Sequence, residues 1–439
     1  MWCFAIVSAR EGRAAKKHAV RSNKNLMTLA PAKRGALSDG EARQGEGADE
    51  ARSMFDTPSP RPSPPLREGE GEVSELEFVG CITNGLSFRG LAHGIAWHIM
   101  VRPGARNLIT DVAGIRIGQA EDEHVRTGVT VLLADEPALA VVDVRGGAPG
   151  TRDTEALGPI NLAGAADAIV LSGGSVFGLD APSGVTSFLR AQGRGFEIAP
   201  GAPRVPIVPG AILFDLMNGG AKEWGDESPY RVLGRKAVEA ASLDFALGNA
   251  GAGYGATAGI YKGGLGSASA VTHDGITIGA IAAVNSVGSP LIPGSDVFWA
   301  FAFEQNGEFG GRRLKTDSAL DLDLPADMKG PRPKENTTIA IVATDADVTR
   351  VELARIAMMA ADGFARALRP VHTPFDGDIV FALSTAKRRI AEPRQREIMR
   401  LGSIAADCIA RSIARGIYEA ETLGYVKSYR ETFGPNAFK

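Results

Sequence analysis

Length, composition and charge exclude several classes of protein. The chain has 439 residues, of which 44% are hydrophobic and 23% charged, and this ordinary globular composition excludes a wholly disordered or collagen-like polypeptide. The formal net charge of -3 gives no electrostatic reason to expect nucleic acid as a partner. The sequence also contains no run of 18 or more apolar residues, the length needed to cross a membrane.

The first 99 residues differ in composition from the rest of the chain. Residues 1 to about 75 show no helical or strand periodicity, and 57–72 (TPSPRPSPPLREGEGE) is rich in proline and charge. Such a stretch buries too little apolar surface to offset the entropy lost on ordering it. We expect residues 1–99 to be disordered and interpret them as a start codon assigned too early, with Met100 as the natural start. A functional extension, or a polyproline segment that docks to a partner, is the alternative.

From Asn107 onward the sequence predicts strands and helices in one α+β domain. The predicted strands are 129–133, 140–144, 168–172, 207–215, 267–273, 276–284 and 337–345, and the predicted helices are 179–192, 230–247, 348–367 and 392–423. Asp274-Gly275 between two apolar runs is typical of a type I′ hairpin turn. Residues 307–335 are polar and predict an exposed loop. Hairpins followed by long helical blocks favour an α+β sandwich over a doubly wound parallel sheet.

Common cofactor and metal motifs are absent from the sequence. Two glycine-rich segments, 171–178 and 248–256, lack the Gly-Lys-Ser/Thr ending of a phosphate loop, so we favour close backbone packing in both. His124, His273 and His372 are too far apart in sequence for metal-ligand spacing. Cys3, Cys81 and Cys408 are widely spaced and odd in number, which excludes a disulfide framework and indicates the cytoplasm. We therefore predict neither a cofactor nor a metal.

The pair Asn336-Thr337, at the junction of the polar loop and a run of strong β-formers, carries a specific chemical hypothesis. On its own it is compatible with a loop that ends and a strand that begins. If the chain is cut before Thr337, however, one residue gains both a hydroxyl nucleophile and an α-amine that titrates near 7.7 to 8.0. That amine can take the hydroxyl proton, so the scheme requires no histidine.

Six motifs resemble, in order, those of a known family. They are 107–118 (NLITDVAGIRIG), 145–153 (RGGAPGTRD), 171–180 (LSGGSVFGLD), 262–267 (KGGLGS), 283–285 (AVN) and 336–345 (NTTIAIVATD). Together they resemble the L-aminopeptidase/D-esterase family of self-cleaving N-terminal-nucleophile hydrolases, which includes the β-aminopeptidases and the nylon-oligomer hydrolases. The similarity covers residues 105 to 430.

The resemblance implies a four-layered αββα sandwich that cuts itself between Asn336 and Thr337. Residues 100–336 would then form an α subunit, and 337–439 a β subunit with Thr337 as nucleophile. Asn285 matches the family's oxyanion-stabilising asparagine, and Lys262 matches a lysine near the catalytic amine, whose charge helps keep that amine a base.

The segment around Asp376 and Asp378 discriminates within the family. These paired aspartates follow the nylon-oligomer hydrolase branch, as does a threonine nucleophile, and the resemblance implies that they orient the nucleophile. On sequence alone, without the resemblance, a solvated Asp-Gly-Asp turn is the favoured interpretation of these residues. The family's oxyanion tyrosine has no evident counterpart, since Phe214 stands in the matching strand.

The predicted function is hydrolysis of small peptides or amide oligomers through Thr337. The expected partners are such a substrate and further copies of the chain, as a tetramer or octamer, with neither nucleic acid nor membrane. Two alternatives stay open: an acyltransferase of the ornithine acetyltransferase type, and a non-enzymatic glycine-loop binding protein that never cleaves.

Overall fold

The strands and helices of this protein were obtained from a computed structural model that describes residues 101–315, 323–330 and 336–434. The expected disorder of residues 1–99 and the start at Met100 lie outside the described residues. The strands are β1 (Ile115–Asp122), β2 (Thr127–Val144), β3 (Thr151–Arg152), β4 (Ala165–Ser172), β5 (Gly210–Ile212), β6 (Thr257–Ala258), β7 (Tyr261–Lys262), β8 (Gly264–Val271), β9 (Thr277–Asn285), β10 (Thr337–Asp347) and β11 (Ile379–Arg389). The helices are α1 (Ala181–Ala191), α2 (Tyr230–Glu239), α3 (Arg350–Ala360), α4 (Asp362–Ala365), α5 (Arg394–Glu419) and α6 (Tyr429–Phe433).

The long strand β2 joins the two halves of the sandwich. Among the residues that the structure describes, nine strands form one sheet in the order β3-β5-β4-β2-β11-β10-β9-β8, with β1 beside β2. The first part of β2 pairs with β1 and β4, whereas Leu139–Val144 pairs with β11. Its register against β4 shifts between Leu133 and Ala138. Strand β2 therefore belongs to both halves of the sandwich, and the sheet folds over so that its two halves pack face to face.

Alternating side chains of the strands create three apolar layers. In β10, Ile339 and Ile341 point into a central core shared with Leu132 and Ile169 of the other half, whereas Ala340 and Val342 face α3 and α5. A third core packs β2 and β4 against α1 and α2. Helix, sheet, sheet and helix therefore follow in order, which confirms the four-layered αββα sandwich.

Several predicted elements have different bounds. The runs predicted as strands 129–133 and 140–144 are one strand, β2. The helix predicted over 230–247 ends at Glu239, because Ser242 pairs with Ile117 through backbone hydrogen bonds. The strand predicted over 207–215 keeps three residues, since Pro206 and Pro209 lack the N–H that a ladder needs. Neither β1 nor β11 was predicted.

The hairpin between β8 and β9 is present, but its turn differs from the prediction. Of Asp274 and Gly275 only the glycine has positive φ, at +83°, whereas a type I′ turn needs positive φ at both central residues. In the glycine-rich segment 248–256, a Cβ on Gly253 would lie 2.1 Å from the amide nitrogen of Leu265. Glycine there permits close approach of two backbones, in agreement with the packing interpretation.

Within the described ranges, no helix has the length and apolar character that crossing a bilayer would require.

Candidate active site

Thr337 begins β10 at one end of the sandwich, where three elements of the fold meet. Its strand pairs antiparallel with β9, which places Thr337 opposite Asn285, and parallel with β11, which follows the turn 372–378. The side chain is buried, with 4% of the residue's surface exposed. Its Oγ1 donates a hydrogen bond of 2.5 Å to the carbonyl oxygen of Asn336. The hydroxyl therefore lies beside the peptide bond that precedes it.

The carbonyl of Asn336 receives a second donor from the 372–378 turn. The backbone N–H of Gly377 donates to it at 3.0 Å, and Asn336 forms a parallel bridge with Asp376. Two donors on one carbonyl oxygen polarise its bond, and when the Thr337 oxygen attacks the carbon, the Gly377 N–H remains to stabilise negative charge on the carbonyl oxygen. The Asn336–Thr337 peptide bond is thus presented to a nucleophile with an oxyanion donor already in place.

The side chain of Asn336 is buried, with 1% of the residue's surface exposed. Among the residues that the structure describes, neither its Nδ2 nor its Oδ1 has a hydrogen-bond partner. Leaving a buried amide unsatisfied costs about 1–3 kcal/mol. The uncut chain therefore holds unfavourable free energy at the residue before Thr337.

The two predicted aspartates have separate contacts in the same turn. Asp378 accepts the N–H of Thr338 at 2.8 Å through Oδ1, and its Oδ2 accepts the N–H of His372 at 3.1 Å and lies 2.9 Å from His372 Nδ1. Asp376 accepts the N–H of Thr373 at 2.8 Å. Burial, and then the neighbouring Asp378 carboxylate, raise the pKa of Asp376 above its usual value. Asp378 thus fixes the backbone directly after Thr337, while burial and the Asp378 carboxylate make Asp376 harder to ionise.

The motif at 145–153 packs against the turn 372–378 and forms backbone hydrogen bonds with it. Backbone N–H groups of Arg145 and Ala148 donate to the carbonyls of Asp378 and Asp376, at 2.9 and 2.8 Å. A Cβ on Gly146 would lie 2.3 Å from the carbonyl oxygen of Asp376. Glycine is therefore required for the loop to pack directly against the aspartate turn.

Asn285 is held in one orientation by hydrogen bonds at both the oxygen and the nitrogen of its amide. Its Oδ1 accepts the N–H of Thr257 at 3.0 Å, the hydroxyl of Thr257 at 3.3 Å and the ammonium of Lys329 at 3.1 Å. Its Nδ2 donates to the carbonyl oxygen of Phe214 at 3.0 Å. With donors gathered on the oxygen, the amide NH2 is directed to the other side, where it can serve as a donor.

Lys262 is buried beside the end of β9. It is 1% exposed, and its Nζ donates to the carbonyls of Gly253 and Gly263, at 3.1 and 2.7 Å. The pKa of Lys262 is lowered to about 7, chiefly by burial; the Asp215 carboxylate opposes this shift and the ammonium of Lys329 adds to it. The hydrogen bonds of Lys262 go to these carbonyls rather than to Thr337, so its influence on Thr337 would be electrostatic.

A cavity of about 310 Å³ adjoins Asn285. Three of its lining residues, Phe214, Thr257 and Lys329, are the hydrogen-bond partners of the Asn285 side chain. The other lining residues include apolar side chains, glycines and a few polar side chains: Asp215, Met217, Asn218, Gly255, Gly259, Ile260, Gly330, Tyr425 and Val426. Phe214 takes part through its backbone carbonyl and offers no hydroxyl. The cavity can take a small, partly apolar group next to the amide donor.

The structure brings the predicted residues Thr337, Asn336, Asn285, Asp376 and Asp378 to one end of the sandwich, with Lys262 one strand away. Sequence reasoning missed Gly377, Thr257 and Lys329. Gly377 acts through its backbone N–H, which no residue pattern reveals, and Lys329 lies in a polar segment whose charge predicts only exposure. Within the described ranges, no group of three or more His, Cys, Asp or Glu side chains is placed to hold a metal ion.

Comparison with known proteins identifies the family. The model of peptidase family S58 matches residues 107–430. The chain belongs to peptidase family S58. The match confirms the resemblance drawn from the six motifs, and it makes this S58 chain an enzyme of the peptidase and amidohydrolase class.

Relatives of this S58 protein carry two kinds of name. An uncharacterised aminopeptidase of Mycobacterium tuberculosis is 39% identical over 353 residues, which cover 76% of this chain and 99% of the relative. A 6-aminohexanoate-oligomer endohydrolase of a Kocuria species is 30% identical over 292 residues, which cover 64% of this chain and 76% of the relative.

Solved structures agree with the fold of this S58 protein. A β-aminopeptidase of a Burkholderia species has a TM-score of 0.56 at 21% identity and covers 75% of this chain and 92% of its own. The L-aminopeptidase D-Ala-esterase/amidase of Ochrobactrum anthropi, described as a variant of the Ntn hydrolase fold, has a TM-score of 0.55 at 20% identity, with 76% and 96% covered. The N-terminal-nucleophile-hydrolase-like fold is thereby confirmed.

Proposed function

We propose that this S58 protein cuts itself before Thr337 and then hydrolyses amide bonds of small peptides or amide oligomers with Thr337 as nucleophile. The observation that carries the proposal is the hydroxyl of Thr337 on the Asn336 carbonyl, which the Gly377 N–H also binds. A nucleophile, a polarised carbonyl and an oxyanion donor are together at one peptide bond.

Self-cleavage follows from this geometry in two steps. The Thr337 oxygen bonds to the Asn336 carbonyl carbon, negative charge gathers on the oxygen held by Gly377, and the C–N bond breaks as the hydroxyl proton passes to the departing amine. The resulting ester is hydrolysed by water, which leaves a carboxylate on Asn336 and a free hydroxyl and amine on Thr337. The unpaired Asn336 amide is freed in this step, which favours the cut.

The cut residue then carries its own base. The α-amine of Thr337 takes the hydroxyl proton while the oxygen attacks the substrate's amide carbon. Asn285 Nδ2 donates to the oxyanion, the proton passes from the α-amine to the leaving amine, and water releases the acyl group. Positive charge at Lys329, and at Lys262 in its protonated form, disfavours protonation of the α-amine, which helps to keep it a base near neutral pH.

The turn that carries Asp376 and Asp378 would orient this nucleophile. Asp378 holds the amide of Thr338, which fixes the direction of the backbone at Thr337. The cavity beside Asn285 would receive part of the substrate. The names of the relatives, an uncharacterised aminopeptidase and a 6-aminohexanoate-oligomer endohydrolase, support small peptides and 6-aminohexanoate-type oligomers as the substrates to test.

Intact mass of the purified protein tests the proposal. Two fragments with a boundary before Thr337 are expected, together with release of amines from short α-peptides, β-peptides or 6-aminohexanoate oligomers. Thr337→Ala should stay uncut and inactive, and Thr337→Ser, which keeps a hydroxyl, should still be cut. A wild-type chain that persists uncut, or a Thr337→Ala protein that is cut or active, would refute it.

A further inference from the structure

The segment 325–330 ends a few residues before the proposed cut and is fastened to the body of the α part of the chain. Asp327 accepts the Ser289 hydroxyl at 2.7 Å through its carboxylate and the N–H of Ile260 at 3.0 Å through its carbonyl. The N–H of Lys329 donates to the carbonyl of Val287 at 2.9 Å. All of these partners precede the segment in the chain, so cleavage before Thr337 breaks none of the contacts.

Lys329 reaches from this segment to the amide proposed as oxyanion donor. Its ammonium lies 3.1 Å from Asn285 Oδ1, which also accepts the N–H and hydroxyl of Thr257. An ammonium has donors and no acceptor, so it tolerates the amide oxygen and opposes the NH2 group. A flipped Asn285 would place its NH2 against the ammonium and an N–H at once. Lys329 therefore selects the orientation in which the amide NH2 group points away from the ammonium.

We propose that Lys329 is a positioning residue of the mature site, which holds the Asn285 amide in its oxyanion-donating orientation and remains docked after the cut. The inference rests on the proposed function. The site then combines residues of both fragments, because Asn285 and Lys329 belong to the α part, while Thr337 begins the β part. The Asn336 carbonyl has a different donor, Gly377, so Lys329 has no part in the cut itself.

Lys329→Met, which keeps the length of the side chain and removes its charge, tests this inference. On processed enzyme we expect kcat to fall about 10-fold or more with KM within about twofold, because the lost interaction matters in the transition state. Lys329→Arg should recover most of kcat. Lys236→Met, a change at an exposed lysine of α2, is the matched control and should leave both constants unchanged.

A double-mutant cycle separates positioning from general damage. In an Asn285→Ala background, where no amide remains to orient, Lys329→Met should cause no further loss of kcat. An equal loss in both backgrounds, an unchanged kcat in Lys329→Met alone, or a Lys329→Met chain that stays uncut would each overturn the inference. Asp327→Ala keeps the ammonium and removes an anchor, so kcat should fall by a smaller factor, and an unchanged value would overturn the docking of the segment.

The wild-type protein distinguishes failure of this inference from failure of the proposed function. An uncut or inactive wild type refutes the proposed function. A cut, active wild type with an unaffected Lys329→Met variant refutes only the role of Lys329.

Discussion

The substitution Gly377→Ala tests how strongly self-cleavage depends on the position of the Thr337 hydroxyl, because it changes that position and keeps the surrounding chemical groups. The change leaves the backbone N–H of residue 377 and every titratable group in place. A Cβ at Gly377 would lie 2.7 Å from Thr337 Oγ1, 3.2 Å from its Cγ2 and 2.8 Å from the carbonyl oxygen of Ala148. Ordinary contact begins at 3.4 Å, so the hydroxyl and the new carbon must separate by about 0.7 Å.

That displacement changes the position of the Thr337 hydroxyl relative to the Asn336 carbonyl oxygen, from which it is 2.5 Å away in the wild type. Misplacement of a reacting group by about 1 Å can cost about 100-fold in rate. The 0.7 Å required here is somewhat less, so we expect self-cleavage to slow by about 10- to 100-fold. The backbone of Ala148 on the other side of the new methyl group leaves little room for relaxation away from Thr337.

A time course of intact mass after synthesis at low temperature measures the rate of self-cleavage. Gly330→Ala is the matched control, because a Cβ there meets nothing within 4 Å and its φ is not positive; its self-cleavage should keep the wild-type rate. Thermal unfolding of the uncut protein checks that Gly377→Ala folds. A folded Gly377→Ala chain that cuts itself as fast as wild type would refute the geometric argument.

Three further predictions concern the other site residues. Asp378→Ala leaves the buried N–H groups of Thr338 and His372 without their acceptor, so urea unfolding of a Thr337→Ala chain should show a loss of about 1–3 kcal/mol, and an unchanged midpoint would contradict this contact. Asn285→Ala should lower kcat of the processed enzyme by about 100- to 1000-fold, as for loss of one oxyanion donor, and a loss below fivefold would argue against that role. The pKa of Lys262 is lowered from 10.5 to about 7 in the folded state, so the unfolded chain binds more protons between these values and stability should rise with pH from about 7 towards 10.5. Lys262→Met should flatten that rise in urea unfolding, and a rise that persists in the variant would refute the assignment.

The sequence predicts local structure best where short-range patterns decide it. The β8–β9 hairpin and the start of β10 come from alternating apolar runs and turn residues. Helix α2 ends early because Ser242 pairs with Ile117, more than a hundred residues away, and no local pattern encodes that contact. Strand β11 was missed because a continuous buried run, Ile379 to Leu383, lacks the alternation of a half-exposed strand.

The predicted site follows the same division. Thr337 could be found because its chemistry belongs to one residue type next to one peptide bond, and Asn285, Lys262, Asp376 and Asp378 came from a family resemblance. Groups that act through the backbone or through an isolated side chain gave no signal. Gly377 contributes an N–H, and Lys329 reaches Asn285 from a polar loop.

The positions of β2 and β10 in the sheet would hold the two fragments of a cut chain together. Strands β10 and β11 belong to the smaller fragment and lie side by side in the sheet, between β9 and β2 of the larger one. After a cut before Thr337, the smaller fragment would therefore stay hydrogen-bonded to the larger one along both edges of this strand pair. Once such a cut protein has unfolded, its refolding requires two chains to associate, so the refolding rate depends on protein concentration. The uncut chain is the species that can fold as one molecule, and the lifetime of the cut enzyme is set by how slowly it comes apart.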